Sequence, residues 1–212
     1  MNIKNLRIFL QNVWKNSSLV NTILEIQSEF NIIFIQEPSW ITICSISSSK
    51  NINEEELVGV PNYLNWITFS RASMTENDSP HVISYINIRI SSMQFSLCKD
   101  ILNYRNISLI FFFNNNIFSL INIYLDSSQT ALKYLKDMEA TIDNVLIITS
   151  NFNIHDNLWD LNYLFHSFHS DLLLNITDSL NLDLSHPIIL ISTRYSNNKH
   201  DSNSVIDLIS CL

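Results

Sequence analysis

The chain has 212 residues, of which 46% are hydrophobic and 15% are charged. This composition argues against global disorder, and the length suits one domain over residues 1–212 with a core of its own. A net charge of −8 argues against a strong nucleic-acid binder, because Lys and Arg supply most non-specific affinity for phosphates. No apolar run reaches the roughly 18 residues of a membrane-spanning helix, and we find no secretory signal, so we expect an intracellular protein without a membrane partner.

The first part of the chain predicts a strand, a helix and a second strand. Leu6–Leu10 and Ile32–Ile35 are apolar runs too short for helices, which favours strands. Ser17 or Ser18 is the predicted N-cap of a helix between them, which ends at Asn31. This helix carries apolar side chains at near-helical spacing, namely Leu19, Ile23, Ile26 and Phe30. The polar stretch Ser45–Glu56 then predicts a mobile surface loop.

The rest of the chain is rich in predicted strands. Apolar or alternating runs predict strands at Val82–Ile90, Ile107–Phe113, Ile117–Leu125, Val145–Thr149, Ile188–Ser192 and Val205–Ile209. Two helices are also predicted, one over Asp171–Leu180 and one beginning at Ser127 or Ser128, whose apolar face holds Ala131, Leu132, Leu135 and Met138. This order of elements predicts an α/β fold in which two packed sheets are flanked by helices.

Polar side chains recur where the predicted strands end. In layered architectures the ends of several strands converge on one site, so these positions are the candidate site residues. They are Asn12, Glu37, Tyr124, Asn151, Asn153 and Asp207.

Five short motifs contain these residues and carry a family resemblance. The motifs are Gln11-Asn12-Val13, Gln36-Glu37-Pro38, Asn122-Ile123-Tyr124, Thr149-Ser150-Asn151-Phe152-Asn153 and Ser204-Val205-Ile206-Asp207-Leu208. In order and spacing they resemble the endonuclease/exonuclease/phosphatase superfamily over nearly the whole chain. The segments Trp66–Arg71 and Asn157–Asp160 are similar to the endonuclease domain of fungal LINE-type (non-LTR) retrotransposons. The resemblance implies a DNase I-like, four-layer α/β/β/α sandwich of two mixed sheets, with the last strand or loop truncated here.

The resemblance also implies a chemistry, which is hydrolysis of DNA by an in-line water. In this chemistry Mg²⁺ or Mn²⁺ neutralises the charge that develops on the phosphate. Glu37 matches the family's metal-binding carboxylate, supported by the amide of Asn12; the alternative for Glu37 is a solvated acid at a strand end. Tyr124 matches the tyrosine that contacts the phosphate, although a Tyr in an apolar strand is as often a core residue. DNA as partner and, for a functional retrotransposon enzyme, a nuclear location follow as expectations.

The central motif departs from the family pattern. The family reads Gly-Asp-Phe-Asn, whereas this chain has Ser150 and Asn151 at the first two positions and keeps Asn153 to orient the substrate. An amide cannot take a proton near neutral pH, so replacing the family's Asp at Asn151 costs roughly 10² to 10⁴ in rate. We therefore expect a catalytic site that is impaired or inactive.

The C-terminal motif departs as well. Asp207 resembles the carboxylate that orients a histidine of a Ser-Asp-His motif, and the chain stops before that motif. No internal histidine is an obvious replacement. Four histidines lie in or near the loops after the Asn151 strand, and the first is the one to test: His155, His166, His169 and His186.

Both changes in the central motif have one explanation at the nucleic-acid level. A G to A transition converts Gly codons to Ser and Asp codons to Asn, and Gly59 is the single glycine of the chain. The hypothesis is a mutated, truncated retrotransposon copy that binds metal weakly. Two alternatives remain open: a non-catalytic nucleic-acid or protein interaction module on the same fold, and a phosphodiesterase or phosphatase acting on small phosphate esters.

Overall fold

The computed structural model describes residues 6–46, 55–60, 63–70, 79–90, 94–98, 105–114, 116–125, 130–138, 142, 144–151, 154, 156–158, 164–185 and 207–211. The strands are β1 (Ile8–Asn12), β2 (Ile32–Gln36), β3 (Ile41–Ile46), β4 (Glu55–Gly59), β5 (Trp66–Phe69), β6 (Val82–Asn87), β7 (Phe95–Leu97), β8 (Ile107–Asn114), β9 (Asn116–Tyr124), β10 (Val145–Asn151), β11 (Asp183–Ser185) and β12 (Asp207–Cys211). The helices are α1 (Ser17–Ile26), α2 (Thr130–Met138) and α3 (Phe168–Ser179).

Most of these strands belong to two mixed sheets. The smaller sheet has the order β1-β2-β6-β5, in which β1 and β2 are parallel and the other pairs are antiparallel. The larger sheet has the order β11-β12-β10-β9-β8-β7, in which β9 and β10 are parallel and the other pairs are antiparallel. Strands β3 and β4 pair with each other as an antiparallel two-stranded sheet.

The two sheets pack face to face with helices on their outer faces. Successive side chains of a strand point to opposite faces, and β2 shows the consequence. Ile32 and Phe34 lie in one buried cluster with Phe112 of the larger sheet, whereas Ile33 lies in another with Ile23 of α1. A third buried cluster joins α2 and α3 to the outer face of the larger sheet. The predicted α/β/β/α sandwich of two mixed sheets is therefore confirmed.

Helix α1 is shorter than the sequence pattern predicted. Its N-cap is Asn16 rather than Ser17 or Ser18, because the Asn16 side chain accepts a hydrogen bond from the Leu19 amide at 3.1 Å. The helix ends at Ile26, so Phe30 lies in the following turn and not in the helix. There the ring of Phe30 packs edge-on against Phe9 at 5.3 Å, which keeps Phe30 in the core without helical geometry.

Other predicted boundaries also shift. Strands β3 and β4 occupy both ends of the predicted loop Ser45–Glu56, and residues 47–54 lie outside the described residues. Helix α3 begins three residues before the predicted Asp171, because the Ser167 side chain caps it by accepting a hydrogen bond from the His169 amide. The predicted strand Ile188–Ser192 also lies outside the described residues. Strands β5, β7 and β11 were not predicted, since each has only three or four residues.

A buried amide pair links the two sheets near the ends of their strands. Gln36, the last residue of β2, donates through Nε2 to Asn122 Oδ1 at 3.1 Å and to the Ile123 carbonyl at 2.7 Å. Asn122 in turn donates to the Ile83 carbonyl of β6 at 3.2 Å. Both amides are fully buried. Because buried polar groups are costly without partners, these bonds fix the ends of β2 and β9 relative to each other.

A search of the described residues for membrane-spanning helices found none that combines the necessary length and apolar character.

Candidate functional site

Glu37 directly follows β2 and has an unusual backbone. Its φ is 48°, in the left-handed region that costs a residue with a Cβ roughly 1–2 kcal/mol. Two hydrogen bonds hold this conformation: the Glu37 amide donates to the His81 carbonyl at 2.7 Å, and the Glu37 carbonyl accepts from the Lys15 amide at 2.7 Å. The residue is thus fixed on both sides, which is typical of functional positions.

The carboxylate of Glu37 accepts hydrogen bonds from two other predicted site residues. Asn12 donates through Nδ2 to Oε2 at 2.8 Å, and the Tyr124 hydroxyl donates to Oε1 at 3.1 Å. The Asn12 amide is itself oriented, because its Oδ1 accepts from the Trp14 amide at 3.0 Å. The structure therefore brings together three residues from distant parts of the chain. We call Asn12, Glu37 and Tyr124 the Glu37 cluster.

The other three predicted residues are placed only in part. In the larger sheet, Asn151 of β10 pairs with Tyr124 of β9 on one side and with Asp207 of β12 on the other. These three backbone positions are thus level across neighbouring strands. The side chains of Asn151 and Asp207, and the whole of Asn153, lie outside the described residues, so their part in the site stays a prediction.

A shallow pocket lies beside the Glu37 carboxylate. The pocket and the solvent-open space at its mouth together amount to about 380 Å³. Its lining residues come from the β1–α1 turn and the segments that follow β2 and precede β6, namely Lys15, Glu37, Pro38, Ser39, Trp40, Ser79 and His81. Lys15 and Glu37 bring a cationic and an anionic residue to one small concave surface, an arrangement that suits a phosphate bound through a metal ion.

His81 is the histidine of this site, and the sequence analysis missed it. It immediately precedes β6, which runs antiparallel to β2, so the start of β6 lies at the edge where β2 ends. That pairing was the signal that could have identified His81. His155, which we singled out from the sequence, lies outside the described residues.

The donor set of the Glu37 cluster fits a weakly held Mg²⁺. This ion binds proteins through one or two carboxylates and keeps several of its waters. Glu37 provides one carboxylate whose orientation two hydrogen bonds fix, next to a pocket open to solvent. Within the described part of the chain, no three His, Cys, Asp or Glu side chains form a metal-binding group, so the donor set there is sparse.

A second cluster of titratable groups lies at the N-terminus of α3, and we call Asp156, His166 and Asp171 the Asp156 cluster. The fully buried Asp156 carboxylate accepts hydrogen bonds from the amides of Leu158 at 2.9 Å and Ser167 at 2.7 Å. The His166 ring bridges Asp156 and Asp171, at 2.8 Å through Nδ1 and 2.7 Å through Nε2. These contacts tie a loop to the start of the helix.

The Asp156 cluster shifts the pKa of two of its members. Burial of Asp156 raises its pKa, but the hydrogen bonds from the Leu158 and Ser167 amides and from the His166 ring outweigh burial and lower this pKa to about 2. The hydrogen bonds to Asp171 and Asp156 raise the pKa of His166. Both shifts favour the charged forms, and the two carboxylates suit the N-terminus of α3, where negative charge is favourable.

Comparison with solved structures identifies the fold. The endonuclease domain of TRAS1, a telomere-specific non-LTR retrotransposon, superposes with a TM-score of 0.67 over 97% of this chain and 84% of that one. The chain has the DNase I-like fold of that endonuclease domain. The sequence identity is 13%, so the likeness to the TRAS1 domain shows the fold alone.

Other comparisons add little to the TRAS1 likeness. Humanized D. rerio TDP2 with 14 mutations covers 72% of this chain at 11% identity, and its TM-score of 0.35 is too low to carry an argument. No protein-family model and no curated protein matches the chain.

Proposed function

We propose that the chain, as one domain over residues 1–212, is a divalent-metal-dependent DNA endonuclease domain of a non-LTR retrotransposon of the fungal LINE type, with impaired activity. The observation that carries this proposal is the Glu37 carboxylate, held between Asn12 and Tyr124 at the edge of a pocket that Lys15 also lines. The likeness to the TRAS1 endonuclease fold supports it. Phosphodiester hydrolysis needs such a carboxylate to hold a metal ion and donors to fix its orientation.

Glu37 would hold Mg²⁺ or Mn²⁺ in this proposal, and the bound ion would neutralise the charge that develops on the phosphate and the leaving oxygen. Asn12 and Tyr124 keep the carboxylate in one orientation, so little reorganisation is needed when the site is loaded. The Lys15 ammonium binds the phosphate backbone of DNA next to the reacting group. With a chain charge of −8, this DNA contact is local, and in a retrotransposon it would take place in the nucleus.

The impairment lies at Asn151. Its backbone pairs with Tyr124, so the position belongs to the same edge of the larger sheet. An amide there has no basic oxygen to take a proton from the attacking water. We infer that mutation of the retrotransposon copy removed the general base while the Glu37 cluster kept its arrangement.

A nicking assay on supercoiled plasmid with Mg²⁺ or Mn²⁺ tests this function. Wild type is expected to nick slowly, and Asn151→Asp is expected to nick about 10² to 10⁴ times faster, because it restores the base. Glu37→Gln in the restored background removes the gain, whereas Glu29→Gln, a change at an exposed ion pair with Arg7, keeps it.

The second candidate is a non-catalytic interaction module on the same fold. The amide at Asn151 favours it, and the acidic charge favours a protein over DNA as partner. If Asn151→Asp shows no metal-dependent nicking above wild type, the endonuclease proposal fails and the module remains.

A further inference from the structure

The ring of His81 is held in one orientation by two contacts. Its Nδ1 lies 2.7 Å from Oδ1 of Asn106, a side chain that is almost fully buried. The ring also packs edge-on against Tyr124, with centroids 5.1 Å apart and an interplanar angle of 71°. A half-buried imidazole between an amide and an aromatic ring has little rotational freedom, which makes it suited to binding a ligand.

The hydrogen bond to Asn106 also determines the tautomer of the neutral ring. An amide oxygen only accepts, so Nδ1 of His81 carries the hydrogen and donates it. The lone pair of the neutral imidazole is then on Nε2. Among the described residues no group hydrogen-bonds to this Nε2, and His81 lines the same pocket as Glu37.

A histidine that donates through one ring nitrogen and offers the other as a lone pair has the arrangement of a metal ligand. Metal-binding histidines almost always donate their second N–H to a carbonyl, carboxylate or water, which fixes the ring and raises its basicity. Asn106 Oδ1 plays that part for His81. Glu37 is joined to His81 through the backbone, where the Glu37 amide donates to the His81 carbonyl. The two side chains share Tyr124 as a contact, and both residues line the same pocket.

We propose that His81 Nε2 and the Glu37 carboxylate together form a mixed nitrogen and oxygen site for a first-row transition-metal dication. The inference rests on the proposed function in that Glu37 is the metal-binding carboxylate of the same pocket. Imidazole suits Zn²⁺, Ni²⁺ and related ions, whereas Mg²⁺ prefers oxygen ligands alone. The pocket therefore binds a transition metal in preference to Mg²⁺, with water or a phosphate oxygen completing the coordination.

The test is a titration of the full chain with Co²⁺, followed by its visible absorption, with Mg²⁺ affinity measured by competition. The variants are His81→Gln and, as a matched control outside the pocket, His169→Gln. Wild type is expected to bind Co²⁺ at least about tenfold more tightly than Mg²⁺. His81→Gln weakens Co²⁺ binding by about 10- to 100-fold and leaves Mg²⁺ binding within about twofold, and His169→Gln changes neither.

The change in selectivity separates a metal ligand from a structural residue. A structural loss at His81 would weaken both metals equally, and that result would overturn the proposal, as would unchanged Co²⁺ binding in His81→Gln or no preference for Co²⁺ in wild type. A second variant, Asn106→Ala, retains the imidazole and removes its anchor, so it is expected to weaken Co²⁺ binding about tenfold.

The metal titration and the nicking assay can give independent results. Co²⁺ binding that depends on His81, without nicking by Asn151→Asp, would support the site and contradict the endonuclease. Nicking by Asn151→Asp with a Co²⁺ affinity indifferent to His81 would support the endonuclease and contradict the mixed site.

Discussion

The Glu37 cluster and the Asp156 cluster both surround a carboxylate with hydrogen-bond donors, but the donors come from different distances along the chain. Glu37 is held by Asn12 and Tyr124, which are 25 and 87 residues away. Asp156 is held by backbone amides two and eleven residues away and by the ring of His166. Local donors can cap a helix without help from the rest of the fold. Remote donors converge only once the two sheets have packed.

The two carboxylates also differ in access. Asp156 has no exposed surface, and its oxygens are occupied by backbone amides and His166. Glu37 is only partly buried and lines an open pocket. A carboxylate that can be reached from solvent can take a ligand, while one that is enclosed stabilises the fold. These differences suit Glu37 to binding a ligand and Asp156 to stabilising the fold, and the two proposed roles can be tested separately.

The largest effect is expected for Glu37→Gln. We expect a loss of nicking of more than about 100-fold in the Asn151→Asp background, because the change removes the charge that we propose to hold the metal ion. Loss of a group that only supports a ligand typically costs about 10- to 100-fold. Thermal unfolding should change little, since the side chain is partly exposed. A variant with normal nicking and reduced stability would reverse the roles given to the two clusters.

Asp156→Asn should lower the stability of the fold and leave nicking unchanged, the opposite of Glu37→Gln. The pKa of Asp156 falls from 3.8 to about 2 on folding, so its ionised form stabilises the folded chain above about pH 4 and that contribution is lost as the pH falls towards 2. The shift corresponds to about 2 kcal/mol in the free energy of unfolding. Denaturant unfolding at pH 7 and pH 3 measures it. Wild type should lose about half of the extra stability at the lower pH, which still lies above the folded pKa, and Asp156→Asn should lack it at both.

Tyr124→Phe should reduce nicking by about tenfold in the Asn151→Asp background. The change removes the hydrogen bond to Glu37 Oε1 and retains the ring that packs against His81. Tyr134→Phe on α2 is the matched control. Equal nicking by Tyr124→Phe and the control would mean that the hydroxyl does not help to orient the carboxylate.

The smallest effect is expected for His166→Gln. The pKa of His166 is raised by Asp171 and Asp156, so its charged form stabilises the folded chain below pH 6.5, and this contribution is lost as the pH rises through the raised pKa. The side chain is 42% exposed, which keeps the effect small. Melting temperatures at pH 5.5 and pH 8.5 should differ less in the variant than in wild type. An identical difference in both would exclude this pair as a source of pH dependence.

Much of the fold could be predicted from the sequence because the strands are apolar and the helices amphipathic. The sequence pattern located β2, β8, β9 and β10 closely, since each is a mainly apolar run. Short strands such as Trp66–Phe69 and Phe95–Leu97 carry too few residues to show a period. The prediction carried helix α1 too far, to Phe30, because the Phe30 position fits helical spacing. In the structure the helix ends at Ile26, and a turn brings the Phe30 ring into the core.

Three of the six residues that the strand ends singled out lie together in the structure. Asn12, Glu37 and Tyr124 meet because their strands end at one edge, and this logic needs no knowledge of pairing. His81 precedes a strand, so only the antiparallel pairing of β2 with β6 brings it to that edge. The Gln36–Asn122 link across the sheets was missed for a similar reason, since nothing local marks which buried amides face each other.

The most direct test of the central claim is a calorimetric titration of the full chain with Mg²⁺, comparing wild type, Glu37→Gln and the control Glu29→Gln. Wild type and the control are expected to bind a single ion weakly, and Glu37→Gln is expected to show no binding heat. Equal Mg²⁺ binding by Glu37→Gln and wild type would contradict the assignment of Glu37 as the metal-binding carboxylate.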